Sequence, residues 1–314
     1  MSADIKAVYR VFDPAPLLAE DTGLYVDLDE VRGDAAIVRR LADRIRLSDR
    51  PTCQILAGHR GSGKSTERRR LQHELETGGK RLFVVFCESD HDVDRNDVDF
   101  PDVLIAVVRQ MANQLKKRAG IALKPGCFKE RWERVKKVLG SEVSFEGLEL
   151  DAGLLKLRGA IKDSPDARAE IRKLLEPDTN NWLSAANDVI GEANLELSKR
   201  DYHGLAIIVD DLDKMVLRPH AAAGCSTGEY LFIHREGQLS AFKCHIVYTM
   251  PIALAYSGQE QTIATLYGGR PPFPRLPRPV TGPFPFPCPA IIPAGASDRP
   301  GGNEAEKNVL CGKI

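Results

Sequence analysis

The sequence has no excess of charge of either sign and no apolar run long enough to cross a membrane. Its 44 lysine and arginine residues balance 44 aspartate and glutamate residues, so the total charge gives no reason to expect nucleic acid or an anionic membrane as a partner. No stretch approaches about 18 consecutive apolar residues, and residues 1–20 lack the apolar core of a signal peptide. We therefore expect a soluble protein that is neither exported nor attached to a membrane.

The sequence also lacks a paired-cysteine motif. The seven cysteines are odd in number, and no two form a C-x-x-C pair, so neither a zinc site nor a disulfide framework is indicated. A reducing cytoplasm suits this pattern. The hydrophobic share of 43% is enough for a core, and 314 residues fit one large domain or two smaller ones.

The most informative stretch begins with a short apolar run, residues 53–57, as expected for a buried strand. Residues 58–65 then fit the phosphate-loop pattern G-x-x-x-x-G-K-[ST], in which backbone N–H groups point at phosphate oxygens. Lys64 would reach the β- and γ-phosphates, and the Ser65 hydroxyl would ligate Mg²⁺. The alternative is a chance glycine-rich turn. The predicted nucleotide-binding residues are Gly58, His59, Arg60, Gly61, Ser62, Gly63, Lys64, Ser65 and Thr66.

The phosphate loop is expected to lead into a helix. Thr66 is predicted to open this helix, whose N-terminal dipole favours an anion, and Gly78 to end it. Its apolar face is thin, because Arg68 stands where a third apolar residue would suit, beside Leu71 and Leu75.

A second stretch, GLAIIVDDLDK at residues 204–214, predicts a buried strand that ends in acidic residues. Ligands of open α/β sheets bind at this end of the strands. Asp210 can hold the Mg²⁺ hydration shell, and Asp211 can orient the attacking water, a role for which Asp213 competes. Thr249 ends a later predicted strand and would lie near the γ-phosphate if that strand lies between the other two. Strand-capping residues in ordinary turns are the alternative.

Further elements follow from hydrophobic periodicity. Helices are predicted at about 34–46 and 100–117, a strand at 82–87, and a helix at 229–242 followed by a strand at 244–249. Between residues 88 and 100 the spacing of three aspartates is like that of a calcium loop. The glycine and the bidentate glutamate of such loops are missing, so a solvated acidic loop is expected instead.

Residues 119–200 are expected to be an insertion that is mainly helical. The pattern predicts a basic helix at 129–139, a small hairpin at 143–157, a helix begun at 164–165 and stopped at Pro177, and a longer helix at 182–197. The basic residues here could meet a nucleic acid or a protein partner, but solvated helix faces are the simpler interpretation.

The C-terminal stretch, residues 270–314, holds eleven of the twenty prolines and shows no sustained hydrophobic period. Proline removes the amide donors that helices and strands need, so a disordered tail is expected. It could be a linker for proline-recognising partners. The alternative favoured here is an altered end that replaced the last strand and lid of the domain and could impair its activity.

The motifs GHRGSGKST, IIVDDLDK and VYTMP, in this order, resemble the ATPase core shared by AAA+ proteins and the signal-transduction ATPases with numerous domains (STAND). The resemblance covers about residues 30–268. It implies an α/β P-loop fold, a three-layer sandwich around a parallel sheet ordered 5-1-4-3-2. Lys64 and Ser65 match Walker A, Asp210 and Asp211 match Walker B, and Thr249 matches sensor 1. No arginine finger or sensor-2 arginine can be assigned, and the fifth strand is apparently missing.

The sequence therefore predicts an extended N-terminal segment (1–33), a P-loop ATPase core (34–269) with its insertion, and the proline-rich tail. The expected function is ATP binding and Mg²⁺-dependent hydrolysis as a cytoplasmic conformational switch, with a protein partner or self-assembly. The predicted catalytic residues are Lys64, Asp211 and Thr249, and the Mg²⁺ ligands are Ser65 and Asp210. Two alternatives stay open: a nucleotide-binding module with little or no hydrolysis, and an initiator-type nucleic-acid loader. A small-molecule phosphotransferase fits the acidic motif least well.

Overall fold

A computed structural model of the protein describes residues 37–58, 63–123, 162, 164–220 and 223–268. Each of its strands is followed by one or more helices, as in α/β proteins. In chain order they are α1 (Ile37–Leu47), β1 (Cys53–Ala57), α2 (Lys64–Thr77), β2 (Leu82–Glu88), α3 (Phe100–Ala119), α4 (Pro165–Leu175), α5 (Thr179–Ser198), β3 (Gly204–Asp210), α6 (Thr227–Glu229), α7 (Glu236–Leu239), β4 (His245–Met250), α8 (Ile252–Ala255) and α9 (Glu260–Leu266). Short 3₁₀ turns occupy Ser89–His91, Glu176–Asp178 and Leu212–Lys214, and a π-helical turn occupies Tyr230–His234.

The four strands form one parallel sheet in the order β1-β4-β3-β2. Leu56 of β1 pairs with Thr249 of β4, and Val209 of β3 pairs with Tyr248 of β4. This order agrees with the predicted order of the same four strands. The predicted loss of a fifth strand beside β1 concerns residues after 268, which lie outside the described residues. Among the described strands, β1 is at one edge of the sheet.

Apolar side chains cover both faces of the sheet, because successive strand residues point to opposite sides. One face packs against α1 and α2, with Val84, Ile208 and Val247 in its core. The other face packs against α3 and α5, with Val85 and Ile207 in its core. The result is a three-layer α/β sandwich, the coarse architecture that was predicted.

Local sequence signals explain where several helices begin. Asp99 caps α3 in a capping box with Asp102, and a proline occupies the first turn. Both features are typical of the N-terminus of a helix. Ser164 caps α4 through the backbone N–H of Ala167. In α1, Ile37, Leu41 and Ile45 are buried, which confirms the face predicted from their spacing.

Two helices differ from prediction. Helix α2 begins at Lys64 instead of Thr66, because Gly63 with φ 82° already turns the chain into the helix. The single helix predicted at 229–242 is interrupted by the π-helical turn and ends at Leu239.

The acidic loop between β2 and α3, which was predicted to be solvated, is exposed at residues such as Asp97 but buried in part. Asp92, Val93 and Val98 in this loop are all buried. Asp92 can be buried because Arg109 supplies an opposite charge at 2.6 Å, which offsets part of the cost of removing the carboxylate from water.

Within the predicted insertion, α4 and α5 are described. Ile171, Trp182 and Ile190 of these helices belong to the same core as β3, and α5 packs directly on that strand. The predicted N-terminal segment, basic helix, hairpin and proline-rich tail lie outside the described residues.

Candidate functional site

The residues singled out by the two motifs come together at the carboxyl ends of β1 and β3. Gly58 follows β1, and Asp210 is the last residue of β3. Thr249 lies near the end of β4, and β4 lies between β1 and β3. The position predicted for Thr249, near the γ-phosphate, required this strand order. Four predicted binding residues, His59, Arg60, Gly61 and Ser62, lie outside the described residues.

Lys64 is held across the site by groups from both motifs. Its Nζ donates to the Gly58 carbonyl oxygen at 2.7 Å and lies 3.0 Å from Asp213 Oδ2. The Lys64 and Asp213 side chains are only 6% and 11% exposed, so the charges interact with little screening by water. The first turn of α2 also carries Ser65 and Thr66, whose position at a helix N-terminus favours an anion.

Of the two acidic residues predicted to compete for the water-orienting role, Asp213 is the one beside Lys64. One oxygen of the Asp213 carboxylate, Oδ1, is buried without a hydrogen-bond partner in the described part of the chain. Asp211 instead has its Oδ1 2.6 Å from Lys214 Nζ and adopts a left-handed backbone conformation with φ 67°, which is uncommon for a non-glycine residue. The geometry therefore separates the two carboxylates.

Arg68 is a member of the site that the motifs did not identify. Its Nη2 lies 2.5 Å from Asp210 Oδ2 and donates to Ser65 Oγ at 2.7 Å. The side chain is 1% exposed. The signal in the sequence was the charged residue on the apolar face of the helix, although the pattern alone did not say which partner would neutralise it.

Burial raises the pKa of Asp210 to about 6, and the nearby Arg68 guanidinium opposes this rise. The neighbouring Asp211 and Asp213 carboxylates add to it, because like charges disfavour ionisation. A cation near Asp210 therefore stabilises its ionised form.

The donor atoms at this point fit a hard divalent cation in type. The carboxylate oxygens of Asp210, Asp211 and Asp213 lie within 4.8 Å of one another, and carboxylate and hydroxyl oxygens are ligands that Mg²⁺ accepts. The Arg68 guanidinium, however, already contacts both Ser65 and Asp210. A metal ion would have to share or replace these contacts.

Thr249 has the burial expected of a residue that faces the site from the middle strand. The residue is 0% exposed, and its Oγ1 has no hydrogen-bond partner among the residues that the structure describes. A buried hydroxyl without a partner is unfavourable, so a ligand oxygen or a water would stabilise this position.

The segment after β3 is tied to the loop after β2. Lys214 Nζ lies 3.1 Å from Asp90 Oδ2, which Arg95 also contacts. Ser89 Oγ donates to the backbone oxygen of Asp210 at 2.5 Å. Motif reasoning missed these residues because their contacts depend on β2 and β3 being neighbours.

Comparison with known proteins assigns this chain to no family. No protein-family model matches the chain, and no curated protein shows a significant match. Among the described helices, none is both long enough and apolar enough to cross a bilayer.

Proposed function

We propose that this protein is a P-loop ATPase that binds ATP at the carboxyl ends of β1 and β3. The observation that carries the proposal is the 3.0 Å contact between Lys64 Nζ and Asp213 Oδ2. It joins the residue that a phosphate loop uses on the β- and γ-phosphates to an acidic residue that follows β3. The chance-turn alternative gives no reason for these two motifs to meet.

The role of each residue follows from its position. Lys64 would hold the β- and γ-phosphates, and the N-terminus of α2 would donate backbone N–H groups to them. Ser65 and Asp210 would hold Mg²⁺, which supplies charge neutralisation on the phosphate oxygens when bound. Thr249 Oγ1 would donate to an oxygen at the reacting end of the nucleotide.

For hydrolysis we assign the water-orienting role to Asp213 in preference to Asp211. The Asp213 carboxylate has a buried oxygen without a partner in the described ranges, whereas Asp211 is bound by Lys214. Asp213 would accept a hydrogen bond from the water that attacks the γ-phosphorus. The water oxygen would bond to the γ-phosphorus as the bond from the γ-phosphorus to the bridging oxygen breaks, so that ADP and inorganic phosphate leave and the water's proton passes to the phosphate or to solvent.

A nucleotide-binding module with little hydrolysis is the second candidate. Arg68 favours it, because its contacts with Ser65 and Asp210 occupy the oxygens that a catalytic metal ion would use. Such a module would still act as a conformational switch within an assembly, driven by binding instead of turnover.

Matched variants distinguish these roles. We expect Asp213→Asn to lower kcat for ATP hydrolysis by about 100-fold or more, since positioned proton-accepting groups contribute that much, while ATP affinity is retained. Asp211→Asn should lower kcat by less than about tenfold, because it changes a contact with Lys214. The measurement is phosphate release at saturating ATP.

Loss of turnover in Asp211→Asn alone would contradict the assignment of Asp213. ATP binding by the wild-type protein without measurable phosphate release would favour the binding module.

A further inference from the structure

The guanidinium of Arg68 lies where a cation bound to both Ser65 and Asp210 would have to lie. A single atom, Nη2, is 2.5 Å from Asp210 Oδ2 and 2.7 Å from Ser65 Oγ. Arginine keeps its charge at every physiological pH. The site therefore contains a permanent positive charge on its own chain.

Helix geometry keeps this charge inside the protein. Arg68, Leu71 and Leu75 are spaced at i, i+3 and i+7, which places them on one face of α2. Leu71 and Leu75 are 1% and 0% exposed and pack in the core between α2 and the sheet. Moving Arg68 away would leave the Asp210 carboxylate buried without that cation.

Two nitrogen atoms of the Arg68 guanidinium could donate further hydrogen bonds. Its Nε and Nη1 atoms are buried without a hydrogen-bond partner in the part of the chain that the structure describes. Arginine presents its N–H groups as a rigid fork that suits phosphate oxygens. Unpaired buried donors are unfavourable, so an anionic oxygen arriving at the site would be stabilised by them.

We propose that Arg68 is the resident cation of this site, so that ATP binds with little dependence on Mg²⁺. Mg²⁺ would have to compete with Arg68 for Ser65 and Asp210. This inference rests on the proposed function and specifies how its site is regulated: Arg68 weakens the coupling between metal binding and nucleotide binding.

The experiment compares ATP binding in the presence of millimolar Mg²⁺ and in EDTA, by equilibrium titration with a fluorescent ATP analogue. Arg68→Gln removes the charge but keeps a polar group, and Arg68→Leu continues the apolar face of α2. Arg69→Gln is the matched control, because it removes the same charge from the next residue, whose side chain is 33% exposed and contacts Glu88. Circular dichroism checks that each variant is folded.

The binding of one ligand commonly changes the affinity for a second ligand 5- to 150-fold. A change of about tenfold in ATP affinity therefore separates a Mg²⁺-dependent site from a Mg²⁺-independent one. EDTA should weaken ATP binding to the wild type and to Arg69→Gln by less than about threefold. In Arg68→Gln and Arg68→Leu the same treatment should weaken binding by about tenfold or more, because Ser65 and Asp210 would then be open to the metal ion, which would supply the positive charge that Arg68 no longer gives.

Equal Mg²⁺ dependence in the wild type and the Arg68 variants would overturn the inference and leave the proposed function standing. If the folded wild type bound ATP under neither condition, both proposals would be wrong. If neither Arg68 variant folds, the wild type decides alone: binding that survives EDTA supports the inference, and binding lost in EDTA overturns it.

Discussion

Two clusters of basic residues and aspartates in this protein, largely buried apart from Asp97, whose side chain is 51% exposed, differ in how completely their buried polar atoms are paired. The first, the α3–α4 cluster, consists of Asp97, Asp102, Arg168 and Arg172. Arg172 donates to both aspartates and to the backbone oxygen of Asp97, and Arg168 donates to Asp97 at 2.9 Å. Within the described ranges, no buried side-chain nitrogen or oxygen of these four residues lacks a partner.

The second, the site cluster, consists of Lys64, Arg68, Asp210 and Asp213. Here Arg68 Nε, Arg68 Nη1 and Asp213 Oδ1 are buried without partners in the described part of the chain. Fully paired buried groups stabilise one conformation, whereas unpaired ones cost free energy unless a ligand satisfies them. The buried polar atoms of the α3–α4 cluster therefore need no ligand, whereas the site cluster has buried polar atoms that a ligand would satisfy.

The largest expected effect on stability comes from breaking the α3–α4 cluster. The double variant Arg172→Met/Asp102→Asn should lower the free energy of unfolding by about 3 kcal/mol, because several charge-assisted hydrogen bonds are lost at once. It also weakens the capping box of α3, in which the Asp102 carboxylate accepts from the Asp99 N–H. The measurement is urea denaturation followed by circular dichroism. A loss below about 1 kcal/mol would contradict the structural role.

A smaller effect is expected from pH at Asp210 of the site cluster. The pKa of Asp210 is raised to about 6 in the folded protein, so its protonated form contributes stability that is lost as pH rises through that value. Between pH 4.5 and 7, the wild type should therefore lose roughly 1–2 kcal/mol of stability relative to Asp210→Asn.

Asp97→Asn is the control for this measurement. Burial opposes ionisation of Asp97, but hydrogen bonds and charges from Arg172 and Arg168 hold its pKa below the usual value. Its contribution to stability is lost only at more acidic pH, so the difference between wild type and Asp97→Asn should stay flat between pH 4.5 and 7. A slope of the same sign for both variants would show that the pH dependence does not come from Asp210.

The smallest effect is expected when both charges of the Arg68–Asp210 pair are removed. Arg68→Leu/Asp210→Asn should change the free energy of unfolding by less than about 1 kcal/mol or increase it, since unsatisfied buried donors disappear with the ion pair. Urea denaturation of this variant and of the α3–α4 double variant under the same conditions gives the direct contrast. A loss as large as that of the α3–α4 variant would show that the site cluster is also structural.

The elements and the order of the strands could be predicted because their signals are local or follow from a motif. The apolar runs of β2 and β3 and the amphipathic pattern of α3 needed no partner to be recognised. The motif also placed Lys64 and Asp210 at one edge of the sheet, because parallel strands that carry ligand residues end there.

The contacts that give the site its character could not be predicted in the same way. Arg68 was visible as a charge on an apolar face, but its pairing with Asp210 depends on how α2 packs on the sheet. The choice between Asp211 and Asp213 depends on the backbone turn after β3 and on Lys214. The burial of Asp92 depends on Arg109, a residue 17 positions away on α3.

The central claim, that ATP binds at Lys64, is tested most directly by the affinity of ATP for Lys64→Ala. Lys80→Ala is the matched control, because Lys80 is an exposed residue beyond the end of α2 whose Nζ donates to the Arg46 backbone oxygen. Removing the Lys64 charge should weaken ATP binding by about 10- to 100-fold, the cost of a lost hydrogen bond to a charged group, while Lys80→Ala binds as the wild type does. Equal ATP affinity in the wild type and a folded Lys64→Ala would contradict the account.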